Sequence, residues 1–112
     1  MNEIIDMAAQ LGKAIAGSKQ ASDLREARKG LDAEPATLQV LKDYQAQADK
    51  MNKLEQENKI IEVEDKRKLQ ELHDKLIASG AFKKFTAAQM EYVDLLRQVS
   101  MAMRTELAET EK

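Results

Sequence analysis

Apolar residues recur along this chain at the spacing of amphipathic α-helices, and short polar or glycine-containing breaks separate five such segments. In the first segment, four apolar residues share one helical face: Ile4, Ala8, Leu11 and Ile15. The pattern predicts a first helix from about Asn2 to Gly17. Ser22 is a suitable N-cap for a second, shorter helix that turns Leu24, Ala27 and Leu31 inward.

Two segments predict long helices. Pro35 suits the first turn of a third helix that reaches about Asn58, and the last helix runs from about Thr86 to Glu109. Each would be on the order of 36 Å long, whereas a compact domain of this size is roughly 34 Å across. We therefore expect an elongated all-α bundle with two long antiparallel helices. Six residues are expected to hold it together: Leu41, Tyr44, Ala48, Leu96, Val99 and Met103.

The connections around the fourth helix are less regular. Asn58 to Val63 breaks the helical pattern and favours a turn, although a continuous helix through it is the alternative. The fourth helix is expected from about Glu64 to Ser79, with Gly80 ending it in a left-handed conformation. Its inward residues would be Leu69, Leu72 and Leu76. The last helix has a capping box, Thr86 and Gln89, flanked by the hydrophobic staple Phe85 and Met90.

Composition supports one helical domain over residues 1–112. Good helix formers dominate, and a hydrophobic fraction of 43% is too high for a disordered chain even with 34% charged residues. The absence of Cys excludes disulfides and thiolate ligands for metals or iron–sulfur clusters. The first residues, MNEIIDMAAQLGKAIAG, resemble neither a signal peptide nor a membrane span. We expect a cytoplasmic protein that has no contact with the membrane.

Charge disfavours nucleic acid as a partner. The net charge is −2, and acids surround the short basic run from Lys66 to Lys68, which is typical of a solvated helix face. Lys83 and Lys84 lie between two phenylalanines, but without a wider basic stripe those rings are interpreted as packing residues.

No residue pattern indicates catalysis. His73 is the sole histidine, and the neighbouring acids Glu71 and Asp74 point elsewhere on the same helix, so it lacks the convergent ligands of a metal site. No serine or lysine partner for a general base can be placed beside it either. We expect a protein that is not an enzyme and that uses no cofactor or metal.

Four apolar residues are candidates for contact with a partner or another copy. Met90 and Met101 lie together on the face of the last helix opposite its packing face, where they could form a second, adaptable apolar strip used in self-association. Single exposed methionines are also common, so a role without any partner is the alternative. Met51 and Leu54 are the only apolar residues in the polar end of the third helix.

The order of these features resembles the YlbF/YheA/YmcA family of small bacterial helical proteins. The resemblance lies in Ala9 to Ile15 with a following serine, Ala27 to Leu31, Glu34–Pro35 with Leu38, Leu41 and Tyr44, then Leu69, Leu72 and Leu76, Phe85, and Met90 to Val99. It covers nearly the entire chain.

The resemblance implies a soluble all-α protein that forms dimers or tetramers and acts through protein contacts. Family members regulate competence, sporulation and biofilm formation, in a complex that influences the endoribonuclease RNase Y and the phosphorelay. Some bind iron–sulfur clusters through cysteines, which this chain lacks, so that cofactor does not carry over. The favoured function is a non-enzymatic regulatory adaptor. The alternatives are a chaperone-like or secreted hairpin of the WXG100 kind, which would need a tryptophan, and an RNA-binding module.

Overall fold

The computed structural model describes residues 2–110, which form five α-helices and no β-strand. The helices are α1 (Glu3–Ala16), α2 (Lys19–Asp32), α3 (Pro35–Gln56), α4 (Val63–Ile77) and α5 (Gly80–Thr110). The all-α prediction is confirmed. The chain divides into two units: the first combines the residues up to Arg28 with those from Phe85 onward, and the second runs from Lys29 to Lys84.

The corner between α1 and α2 is closed by Ser18. Its hydroxyl donates to the carbonyl of Ile15 at 2.6 Å and accepts the backbone N–H of Ala21 at 3.1 Å, so one side chain serves both helix ends. Arg25 also reaches back to the carbonyl of Ala16, the last residue of α1, at 3.1 Å. The prediction that Ser22 caps α2 is wrong, because Ser18 lies closer to the turn and satisfies the same orphan donors.

The predicted turn between α3 and α4 is confirmed. Asn58 adopts a left-handed conformation with φ 56°, and the N–H of Lys59 donates to the carbonyl of Leu54 at 2.8 Å. The N–H of Asn58 also donates to the carbonyl of Glu55 at 3.1 Å, which completes a Schellman motif. Because asparagine tolerates the left-handed region better than most residues, it ends α3 where glycine would be usual. The alternative of a continuous helix is wrong.

The start of α5 differs from the prediction. Ser79 accepts the N–H of Phe82 at 3.2 Å, and the helix begins at Gly80, six residues before Thr86. Gly80 is therefore helical, and no glycine in residues 2–110 has a positive φ. In the short helical segment ahead of Thr86, Phe82 and Phe85 lie three residues apart and are both partly covered. The Arg28 guanidinium lies 5.9 Å from the centre of the Phe85 ring, a cation–π contact between α2 and α5.

In the second unit, α3 packs along α4, and the predicted inward face of α4 is confirmed. Leu72 and Leu76 are buried and Leu69 is partly covered. Leu31, at the end of α2, is also buried in this unit. The core is small and aliphatic.

In the first unit, the predicted core is largely uncovered. Ala21 is buried, but α1 contains no buried residue and Ile4 is 74% exposed. Leu96 and Met103, expected to hold the bundle, are exposed as well. For these two residues the prediction is wrong in the single chain, because the described residues 2–110 leave them exposed, although Val99 on the same face is partly covered.

Candidate interaction surface

The outer strip of α5, which we define as Met90, Val93 and Met101, carries three exposed apolar side chains along three helical turns. Met90 is 72% exposed and Met101 57%. Residues eleven apart return to the same helical face, so the two methionines lie in line. A shallow groove opens beside Met90, lined by Gln89, Met90, Glu91, Val93, Asp94 and Arg97. Exposed apolar side chains next to a groove are typical of a surface that binds another protein.

Two charged residues at the edge of this groove, Asp94 and Arg97, are paired with each other. Arg97 donates to the carboxylate of Asp94, and so does the Gln98 amide at 2.7 Å. The hydrogen bond from Arg97 is the main reason that the pKa of Asp94 is lowered, and Gln98 adds to it. The carboxylate is ionised at neutral pH, and Arg97 is held against it, so a partner meets mainly apolar atoms along the strip.

The other two candidate contacts are less accessible. Met51 and Leu54 lie three residues apart on α3, and both are partly covered. Their position one turn apart agrees with a shared helix face. A contact role for these two residues, as for Met90 and Met101, remains a prediction.

Other exposed apolar residues, all but one of which the sequence pattern assigned to the core, lie on α5 and α1. On α5 these are Leu96, Met103 and Leu107, which we call the inner strip of α5; Met103 is 56% exposed. On α1 they are Ile4, Met7 and Leu11, which we call the α1 face. Met7 was not among the residues predicted from the sequence. It could have been predicted, because the polar residues of α1 are restricted to one narrow stripe and Met7 lies outside it.

A buried polar link joins α3 to α4. Gln47, a buried polar residue, donates from Nε2 to the backbone carbonyl of Asp65 at 3.0 Å and approaches its carboxylate at 3.5 Å. Lys50 donates to the same carboxylate at 3.1 Å. The hydrogen bond from Lys50 is the main cause of a lowered pKa at Asp65; desolvation opposes it and Gln47 reinforces it. The link fixes the position of the first turn of α4 against α3.

Replacement of Asp65 by asparagine should destabilise the protein at neutral pH and have less effect in acid. Since the pKa of Asp65 is lowered in the folded state, its carboxylate stabilises the fold above the ordinary carboxyl pKa of about 4. That contribution is lost as the pH falls from there through the lowered folded value. Urea unfolding of both proteins between pH 7 and pH 2.5 measures the difference, which should shrink at the acid end.

The matched control is Asp49→Asn, which removes an exposed carboxylate from α3 that has no hydrogen-bond or ion-pair partner in the described chain. It should leave the free energy of unfolding nearly unchanged at every pH. A constant difference between the Asp65 variant and the parent would contradict the role of the ionised carboxylate.

The histidine neighbourhood does not form a catalytic arrangement. The His73 ring lies 6.2 Å from the ring of Tyr44, and its Nδ1 is 4.0 Å from Asp74, at the limit of an ion pair. Within residues 2–110, no three His, Asp or Glu side chains converge as metal ligands would. Over the same residues, no helix combines the length and hydrophobicity needed to cross a bilayer.

A family model and a solved structure are both similar to this chain. The family model described as control of competence regulator ComK, YlbF/YmcA, matches residues 4–108. A crystal structure of Bacillus subtilis RicA in complex with RicF has a similar fold, with a TM-score of 0.81 and 22% sequence identity. The similarity covers 97% of this chain and 96% of the RicA chain. No curated protein sequence matches the chain.

Proposed function

Because this chain belongs to the YlbF/YmcA family, described as controlling the competence regulator ComK, we propose that it is a non-enzymatic regulatory adaptor. It acts in the cytoplasm, where it binds other proteins through its helix faces. Both units work together as one domain, since the family match spans them both. Its regulatory targets are those that the family resemblance implies, the RNase Y and phosphorelay pathways.

The observation that carries this proposal is the exposed outer strip of α5. Helix faces are a common means of protein recognition, with apolar anchors repeated at helical spacing. Met90, Val93 and Met101 provide such anchors, and the flexible methionine side chain adapts to different partner surfaces. Since Asp94 and Arg97 already pair with each other, docking at the strip leaves neither of these two charges newly unpaired.

The partner that we propose is another helical member of the same family. RicA, whose fold this chain shares, was crystallised with RicF. A RicF-like protein encoded in the same genome is therefore the first binding partner to test.

Replacement of Met90 and Met101 together by glutamate should weaken binding of the RicF-like protein at least tenfold. The two carboxylates would be desolvated in an apolar interface, and truncating central anchors commonly costs more than 1 kcal/mol each. Titration calorimetry with the purified partner measures the dissociation constant.

The control is a second pair of substitutions on a different face of α5, Lys84→Gln with Ala102→Glu. Both positions are exposed, and the pair changes the charge of the same helix by the same amount. Binding should stay within about twofold of the parent, since exposed positions outside the contact contribute little. Equal weakening by both pairs, or by neither, would rule out the outer strip as the docking site.

A further inference from the structure

Sulfur in this chain is carried by methionine alone, and most of it is exposed. The sequence contains six methionines and no cysteine. Of the five methionines within residues 2–110, four are exposed: Met7, Met90, Met101 and Met103. The fifth, Met51, is partly covered on α3. An oxidant that reaches this protein therefore meets exposed thioethers with no competing thiol.

The exposed methionines form two pairs on different surfaces. Met90 and Met101 belong to the outer strip of α5, and Met90 also lines the groove beside it. Met7 and Met103 lie instead on the α1 face and on the inner strip of α5. Only the first pair therefore lies on the surface at which we propose that the RicF-like protein docks.

We propose that Met90 and Met101 are a modification site at which a hydroperoxide oxidises the outer strip and releases the docked partner. This inference rests on the proposed adaptor function. The lone pair of each thioether sulfur attacks one peroxide oxygen, the O–O bond breaks, and a new S–O bond gives methionine sulfoxide. The departing hydroxide takes the proton of the transferred oxygen and leaves as water. The sulfur is thus oxidised by two electrons and the peroxide is reduced by two.

A sulfoxide changes what the outer strip offers to a partner. Oxidation converts the flexible apolar side chain into a polar one whose oxygen accepts hydrogen bonds. In the free chain this oxygen is hydrated, because Met90 and Met101 are both exposed. In an apolar interface it loses that hydration and has no donor arranged to replace it, so two sulfoxides should weaken docking at least about tenfold.

Peptide mapping by mass spectrometry tests the site itself, on the full chain treated with hydrogen peroxide and without any partner. Met90 and Met101 should each gain one oxygen at least about threefold faster than Met51, because susceptibility follows exposure. Met101 and Met103 share the tryptic peptide 98–104, and fragmentation spectra distinguish them. Equal rates at Met51 and at the outer strip would overturn the assignment.

Titration calorimetry with the RicF-like protein tests the effect on docking. This chain alone is treated with peroxide, catalase removes the excess, and the untreated partner is then added. The dissociation constant should rise at least about tenfold, and it should return to within about twofold of its starting value after treatment with methionine sulfoxide reductases and dithiothreitol. In that reversal the sulfoxide oxygen leaves as water and dithiothreitol is oxidised to its disulfide. Circular dichroism checks that the oxidised chain is helical.

Leucine separates oxidation from docking, because it keeps the apolar bulk of methionine and has no sulfur. Met90→Leu with Met101→Leu should bind the partner within about threefold of the parent and should show no loss of binding after peroxide. The matched control is Met7→Leu with Met103→Leu, which removes the same number of exposed sulfur atoms from other surfaces. Its binding should remain as sensitive to peroxide as that of the parent.

Three further results would overturn the proposal. One is a parent that carries sulfoxide at both outer-strip positions and still binds the partner as tightly as before; docking at the strip would then stand, since the glutamate pair tests it without oxidant. The second is protection from peroxide by the Met7 and Met103 variant in place of the Met90 and Met101 variant. The third is an untreated parent that does not bind the RicF-like protein, which overturns the proposed partner as well.

Discussion

Replacement of Leu76 by alanine should lower the free energy of unfolding by about 2–5 kcal/mol, the range observed for leucine-to-alanine changes in protein cores. Leu76 is 2% exposed and lies one turn from Leu72 on the buried face of α4. Loss of the γ carbon and its two methyl groups removes apolar burial and leaves a cavity. The effect is large relative to total stability, since a domain of this size has a margin of only about 5–15 kcal/mol. Urea unfolding followed by circular dichroism measures it.

The adjacent residue supplies a matched control. Ile77 is 44% exposed and occupies the next position on the same helix. Ile77→Ala removes a similar number of apolar atoms from a site that is largely in water, so the loss should stay below about 1 kcal/mol. Equal losses at the two positions would show that α4 packs on a different face in solution.

The second large effect is expected at Gln47, where glutamate should cost about 2–4 kcal/mol at neutral pH. The change is nearly isosteric, but it replaces the amide donor to the Asp65 carbonyl by a carboxylate oxygen. Two carboxylates would then compete for Lys50 in a largely buried position. The cost should decrease as the pH falls and the new carboxyl group takes up a proton. Denaturant unfolding at pH 7 and pH 4.5 measures both effects.

The same substitution at Gln45 is the control for Gln47. Gln45 is exposed on α3, two residues before the link, and Gln45→Glu should change stability by less than about 0.5 kcal/mol. A Gln47 variant as stable as the Gln45 variant would mean that the polar link contributes nothing to the packing of α3 on α4.

The sequence predicted the helices better than their ends. Hydrophobic periodicity located all five, because each has apolar residues repeated along one helical face. The caps were harder, since Ser18 and Ser22 are both good N-cap residues four positions apart, and the choice depends on the geometry of the turn. Thr86 with Gln89 formed the stronger local motif, but the helix begins at Gly80, where Ser79 accepts the N–H of Phe82. The buried Gln47 was not predicted, because an amide among polar residues gives no periodic signal.

The misassigned core residues have a different cause. Met103 and Leu96 fit the packing stripe of α5 correctly, as do Ile4 and Leu11 on α1. A hydrophobic helix face indicates burial, but a sequence does not show whether the surface that buries it belongs to the same chain. Met90 and Met101 were separable from this stripe by their helical angle alone, whereas Val93 lies between the two faces and was assigned to the packing stripe. The exposure of the two methionines agrees with their expected position away from the packing face, although their partner remains a proposal.

The closed corner at Ser18 bears on the motion of α1 in solution. With the hydroxyl joined to both helix ends and Arg25 reaching the last carbonyl of α1, the direction of the first helix relative to the second is restricted. Much of the orientational entropy of α1 is then lost when the chain folds, so a protein that binds to this helix has less of it left to remove.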